Sequence, residues 1–155
     1  MMLNSDIKYL FDDIDDFFTN ASNFASYIFY NYDNLNWVGF YMRSGEELLL
    51  GPFQGKPACI RIPLGRGVCG SSARDKQAII VKDVHEFDGH IACDSASNSE
   101  LVIPIIKGGE LIGVLDIDSP LKNRFNENDL DEFDNLLKIL IEKSNVEKVF
   151  KYYNS

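Results

Sequence analysis

The sequence predicts an α+β domain: a central, mostly antiparallel sheet of about six strands with the N- and C-terminal helices packed on one face. Three observations lead there. Helical apolar periodicity is confined to the two ends of the chain. Between them lies a series of short runs rich in β-formers and broken by turn residues. Two of those runs flank Lys107-Gly108-Gly109-Glu110, which reads as a hairpin with a Gly-Gly turn. A doubly wound sheet would need regular alternation of strand and helix, which is missing. The length of 155 residues fits one domain over 1–155. A chain of this size buries about 68–70% of its unfolded surface and needs no disulfide or metal to hold a core.

Taken in order, Ile7, Leu10, Phe11, Ile14, Phe17 and Phe18 recur three and four apart, with Asp12, Asp13, Asp15 and Asp16 on the opposite, solvated side. Phe24, Tyr27, Ile28 and Tyr32 continue that helical period. Trp37 to Met42 reads as a strand, Ser44-Gly45 as a turn, and Glu47 to Leu50 as its partner. Ala58 to Ile62 is a further strand, Gly67 to Asp75 a short helix and Ile79 to Val81 a short strand. Leu101 to Ile106 and Leu111 to Ile117 form the Gly-Gly hairpin. Asn126 is the expected N-cap of a long C-terminal helix, with Asp129 at the third position and Leu130, Phe133, Leu137, Leu140 and Ile141 as its apolar stripe.

Composition excludes several classes. The hydrophobic content of 45% and aromatic content of 12% argue against disorder. A net charge of −9 repels phosphate backbones and anionic headgroups, so neither a nucleic-acid nor a membrane partner is expected. The apolar runs are far short of the ~20 residues that span a bilayer. Met1 to Asp6 shows no basic or apolar signal region, which predicts a cytoplasmic protein. The three cysteines, Cys59, Cys69 and Cys93, contain no C-x-x-C pair. They read as buried filler or reactive thiols rather than a disulfide scaffold.

Four features carry possible chemistry. Gly65-Arg66-Gly67-Val68-Cys69-Gly70 matches G-x-G-x-x-G, but Pro63 interrupts the approach and the helix is short, so a flexible turn into a helix is the better reading. That turn sets Cys69 near a helix N-terminus, where amides can stabilise a thiolate. The sixteen positions from His85 to Glu100 hold both histidines, Cys93 and four carboxylates. Zinc on His85, His90 and Cys93 fits no standard spacing, so no metal is expected. A redox-active thiol fits better, with His90 or a loop amide lowering the Cys93 pKa and Asp94 opposing. Asp116-Ile117-Asp118 places two carboxylates on one strand face, either to bind a cation or share a proton, or simply solvated at the strand end. Trp37 and Tyr41 share a strand face, as an aromatic wall for a ligand or as ordinary sheet packing.

Together these words resemble one family. Asn36-Trp37-Val38-Gly39-Phe40-Tyr41, Leu50 to Gly55 followed by Cys59, Gly65 to Gly70 with Cys69, His85 to Glu100, and Gly113 to Ser119 are similar, in order, to the free methionine-(R)-sulfoxide reductases, which are single-domain GAF proteins. The cysteine separations of 10 and 24 positions match as well. Asp88 departs from the proline expected in many members, at no functional position.

The resemblance implies an oxidoreductase of oxidative-stress repair whose substrate is free methionine (R)-sulfoxide. It implies Cys93 as the nucleophile, which becomes a sulfenic acid, and Cys59 as the thiol that condenses with it. Cys69 would be a supporting or alternative resolving thiol. Thioredoxin would be the external reductant, with no bound cofactor, and the assembly a homodimer. Glu100, Asp116 and Asp118 match the family's active-site carboxylates, and Trp37 and Tyr41 the wall for the methyl-sulfur end. Chemistry adds the reason for the acids: a sulfoxide becomes electrophilic when its oxygen is protonated, and clustered, buried carboxyls keep one proton near pH 7. The proton donor is Glu100 or Asp118. The substrate carboxylate would take backbone amides near Ile91, Ala92 and Cys93. The alternative is a GAF-type small-ligand module with a redox-sensitive cysteine switch.

Overall fold

The computed structural model describes residue 7, residues 9–89 and residues 96–155. Its elements are helix α1 (Phe17–Asn31), strands β1 (Trp37–Ser44), β2 (Glu47–Gly55) and β3 (Arg61–Pro63), helix α2 (Gly67–Asp75), and strand β4 (Ile79–Val81). They continue with β5 (Ser99–Lys107), β6 (Glu110–Ser119), and helices α3 (Glu127–Lys143) and α4 (Val146–Asn154). The six strands form one sheet in the order β3-β2-β1-β6-β5-β4, and every neighbouring pair is antiparallel.

Turn chemistry builds the hairpins. Gly108 and Gly109 both have positive φ, 58° and 81°, which a two-residue hairpin turn of this hand requires. Each hairpin then carries a bulge. One shifts the β5–β6 register between Ile105 and Ile106, with Ile112 of β6 the extra residue, and one interrupts the β1–β2 register between Gly39 and Tyr41. A bulge shifts the register by one and so exchanges the faces of all residues beyond it.

The sheet has two unlike faces. On one, Val38, Phe40, Met42, Leu101, Ile103, Ile105, Leu115 and Ile117 pack against Phe17, Phe24, Ile28, Phe133, Leu137, Leu140 and Val149 from α1, α3 and α4. The terminal helices therefore share one face, as expected. On the other face α2 lies against Trp37, Tyr41, Leu48, Ile62, Val102 and Val114. Gly70 is where α2 presses on the β3 end: a Cβ there would lie 2.5 Å from the Pro63 carbonyl.

Three expectations change in detail. Among the described residues the N-terminal periodicity does not produce α-helix before Phe17: Asp12 has a φ of 49°, Ile14 is half exposed, and Asp16 is the N-cap. Asp16 accepts hydrogen bonds from the Thr19 amide at 2.9 Å and hydroxyl at 2.8 Å, which hold its carboxyl below the usual range. The strand expected over Ala58 to Ile62 is only β3. The C-terminal helix is two helices, because Asn145 caps α4 through the Lys148 amide (3.1 Å) while its own amide is held by the Asp15 carbonyl (2.8 Å). The capping box at Asn126 and Asp129 forms as read.

Candidate active site

The α2 face of the sheet gathers the polar residues. Strand pairing sets Trp37 opposite Asp118, and Asp118 opposite Glu100, which is opposite Val81. The next row runs Gly39, Asp116, Val102 and Ile79. Directly paired residues share a face with Cβ atoms about 4.5–5.5 Å apart. Three carboxyls thus converge beside an aromatic residue on three adjoining strands, β1, β6 and β5.

All three are buried: Glu100 is 7% exposed, Asp116 6% and Asp118 9%. Cys69, from the first turn of α2, closes over them, its thiol donating to Glu100 Oε2 at 3.8 Å. Among the described residues no basic side chain pairs with Glu100 or Asp116, and Asp116 Oδ1 finds no hydrogen-bond donor. Burial pushes Glu100 well above the usual carboxylate range, and the Asp116 charge adds to it. Asp116 is raised first by burial and then by Asp118. Both shifts favour the protonated acids.

Cys69 corrects one expectation. The α2 amides do not make it a thiolate; burial, followed by the Asp116, Glu100 and Asp118 charges, pushes its thiol up. It is a neutral donor here. The Cys69 sulfur and one oxygen each of Glu100 and Asp116 lie within 4.8 Å of one another, a donor set that could also face a cation. His85 is elsewhere, on a short 3-10 turn, where its Nε2 meets Asn98 Oδ1 at 3.2 Å.

The aromatic wall stands beside the acids. The Trp37 and Tyr41 rings stack 5.9 Å apart at 23°. Their polar tips both reach the segment after β2: Trp37 Nε1 donates to the Lys56 carbonyl at 3.1 Å, and the Tyr41 hydroxyl to the Cys59 carbonyl at 2.9 Å. Cys59 is disulfide-bonded and Cys69 is a free thiol. Cys93, Ile91, Ala92, His90 and Asp94 lie outside the described residues.

The G-x-G-x-x-G stretch is occupied by its own packing. Gly65 and Gly67 take positive φ, 87° and 64°, and the Gly65 amide is used by the Gly70 carbonyl at 2.7 Å. That amide is not offered to a phosphate.

Comparison with known proteins decides the family. The GAF domain family model matches residues 12–139. The free methionine-R-sulfoxide reductase of Escherichia coli (strain K12) is 47% identical over 127 residues, which are 82% of this chain and 77% of that protein. The chain belongs to the free methionine-R-sulfoxide reductase family of GAF domains. Two solved substrate complexes superpose on it. The fRMsr of Staphylococcus aureus does so with a TM-score of 0.86 at 43% identity, covering 92% of this chain and 93% of that one. The free methionine-R-sulfoxide reductase of Neisseria meningitidis gives 0.88 at 39%, covering 94% and 87%.

For a member of the free methionine-R-sulfoxide reductase family, two wall residues escaped the sequence reading. Phe53 stacks on the outer side of Trp37, 5.2 Å away at 15°. Gly39 is the floor beneath the indole: a Cβ there would lie 2.6 Å from Trp37 Cη2 and collide with the Phe53 Cβ. The signal for Gly39 was available, as a glycine two residues after the only tryptophan on a β-rich run.

Proposed function

We infer that this chain reduces free methionine (R)-sulfoxide to methionine, with Cys93 as nucleophile, Cys59 as resolving thiol and thioredoxin as the external reductant, without bound cofactor or metal. The observation that carries the reading is the buried Glu100–Asp116 pair, uncompensated by any cation among the described residues, at the foot of the Trp37–Tyr41 wall. The wall takes the methyl-sulfur end. Glu100, the group pushed up by burial and by Asp116, gives a proton to the sulfoxide oxygen. Asp116, with an unused buried oxygen, and Asp118 take the substrate ammonium group. Backbone amides at Ile91, Ala92 and Cys93 take its carboxylate.

The reaction runs in three balanced steps. The Cys93 sulfur attacks the sulfoxide sulfur; oxygen passes to Cys93, methionine leaves reduced, and Cys93 is a sulfenic acid. The Cys59 thiol attacks that sulfur, forming the disulfide and releasing water. A dithiol of thioredoxin reduces the disulfide and is itself oxidised. The disulfide at Cys59 and the free, buried thiol of Cys69 support this pairing. Cys69 is then a supporting donor to Glu100 and no resolving thiol.

The same reading places the protein in the cytoplasm, as a homodimer with no nucleic-acid or membrane partner. It is supported by the charge of −9, by the absence of any helix among the described residues long and apolar enough to cross a membrane, and by exposed Tyr9, Tyr30 and Tyr152 on the terminal segments.

The test is an NADPH-coupled thioredoxin assay on separated R and S epimers of free methionine sulfoxide, with a peptide-bound sulfoxide and Cys93→Ser alongside. Turnover of the free R epimer alone, abolished in Cys93→Ser, is expected. No turnover by fully reduced protein on any of them would return the chain to the class of redox-sensitive ligand-binding GAF modules.

A further inference from the structure

The segment 56–60, which carries Cys59, has neither helix nor strand. It is nevertheless pinned at three carbonyls. Lys56 accepts from the Trp37 indole at 3.1 Å, Cys59 from the Tyr41 hydroxyl at 2.9 Å, and Ile60 from the Leu50 amide at 3.0 Å. The chain enters the segment against the indole itself: Gly55 has a φ of 132°, and a Cβ there would lie 2.6 Å from Trp37 Cδ1. Two of the three pins are thus the polar tips of the wall that faces the acids. Neither donor has an easy alternative, since Trp37 and Tyr41 are 3% and 2% exposed, and a buried donor left unpaired is costly.

We propose that Trp37 and Tyr41 are also positioning residues for Cys59, their N–H and O–H holding the backbone of the 56–59 segment in place for the step in which Cys59 closes on the sulfenic acid. This rests on the reading of Cys93 as nucleophile and Cys59 as resolving thiol. The step concerned is attack of the Cys59 thiol on the Cys93 sulfenic acid, which forms the S–S bond and releases water. A disulfide tolerates Cα separations of only about 4.4–6.8 Å, so a segment free to drift spends little time within reach.

The experiment is a single turnover of reduced full-length protein with free methionine (R)-sulfoxide, quenched at intervals. Methionine is counted by chromatography, sulfenic acid by dimedone trapping and disulfide by mass spectrometry. Tyr41→Phe keeps the ring and removes only the hydroxyl. The expected result is a split of the two steps: disulfide closure slows roughly tenfold, methionine formation falls by less, and sulfenic acid accumulates. Closure that keeps pace with methionine formation would overturn the proposal, as would a loss confined to methionine formation. Should Tyr41→Phe fail to fold, Trp37→Phe puts the same question through Lys56, with the same split expected. Cys59→Ser runs as the control. If it forms methionine but accumulates no sulfenic acid, the reading of the two cysteines falls and takes the tether with it. If it accumulates sulfenic acid while Tyr41→Phe does not, the tether alone is refuted.

Discussion

Replacing Glu100 by glutamine separates the two consequences of burying an acid. In the folded chain Glu100 is raised well above its ordinary value of 4.5, first by desolvation and then by Asp116. The unfolded chain therefore releases this proton near pH 4.5, while the folded chain keeps it to higher pH. The stability due to the retained proton is fully present below that point and is lost as pH rises through the folded value. Each pH unit inside the window weakens the folding equilibrium about tenfold for one extra bound proton. Glutamine is a fixed, neutral stand-in for the protonated acid, and its amide can donate to Asp116 Oδ1, which lacks a donor. Glu100→Gln is therefore expected to match the parent near pH 4.5 and to exceed it in stability increasingly as pH rises above that, with a shallower pH slope. The residual slope belongs to Asp116, which is raised in the same sense. Urea unfolding at pH 4.5, 6 and 7.5 measures this. Turnover should fall by roughly 10²–10⁴, the usual contribution of a positioned acid. A stability difference that does not change with pH would refute the buried, protonated acid. Near-normal turnover would refute its role as proton donor.

Three other outcomes are expected. Gly39→Ala drives a methyl into the Trp37 ring and the Phe53 Cβ; overpacking of this kind costs about 1–3 kcal/mol, and a shifted emission of the only tryptophan should accompany a raised KM. Cys69→Ala removes a hydrogen bond that lowers the Glu100 pKa, so the alkaline limb of the pH–rate profile should move to higher pH; a limb that stays or moves down would count against it. Asn126→Ala removes the side-chain oxygen that accepts from the Asp129 amide at 3.0 Å, leaving the reciprocal bond from its own amide to Asp129, and should lower the stability measured in urea by about 1 kcal/mol with turnover unchanged.

The parts of the fold written in local chemistry were legible. The Gly-Gly turn, the Asn126 cap and the helix over Gly67–Asp75 each depend on a few adjacent residues, and each lies where the residues place it. The face of Asp116 and Asp118 was legible for the same reason, because alternation is local. What could not be read were the bulges. Continued regularly from the turn pair Lys107–Glu110, the β5–β6 register would set Glu100 opposite Ile117, on the face covered by the terminal helices. The bulge at Ile105/Ile106 sets it opposite Asp118 instead. The bulge near Gly39 likewise sets Phe53, rather than Pro52, beside Gly39 and thus against Trp37. No residue type announces either bulge, so Glu100 entered the site by resemblance and Phe53 did not enter it. The N-terminal misreading has the opposite cause. Period three-and-four spacing over Ile7 to Phe18 reflects burial of Ile7, Phe11 and Phe17, but Asp16 offers its carboxylate to the Thr19 amide and starts the helix there.

The division of labour between the two sheet faces explains how such an acid cluster is tolerated. Burying carboxyls without cations destabilises the fold, and the opposite face of the same strands supplies a continuous apolar core that offsets it. Acids and aromatic wall sit on paired strands, where each side chain's position is set by register. Cys59 sits off the sheet, because a resolving thiol must approach a sulfur that has first met substrate. A hydrogen bond to its carbonyl acts on the backbone and makes no demand on the side-chain rotamer. Pinning the backbone alone lets one segment serve both the open dithiol and the closed disulfide that Cys59 carries here. On that account the Tyr41 hydroxyl governs the rate of closure rather than the identity of the substrate.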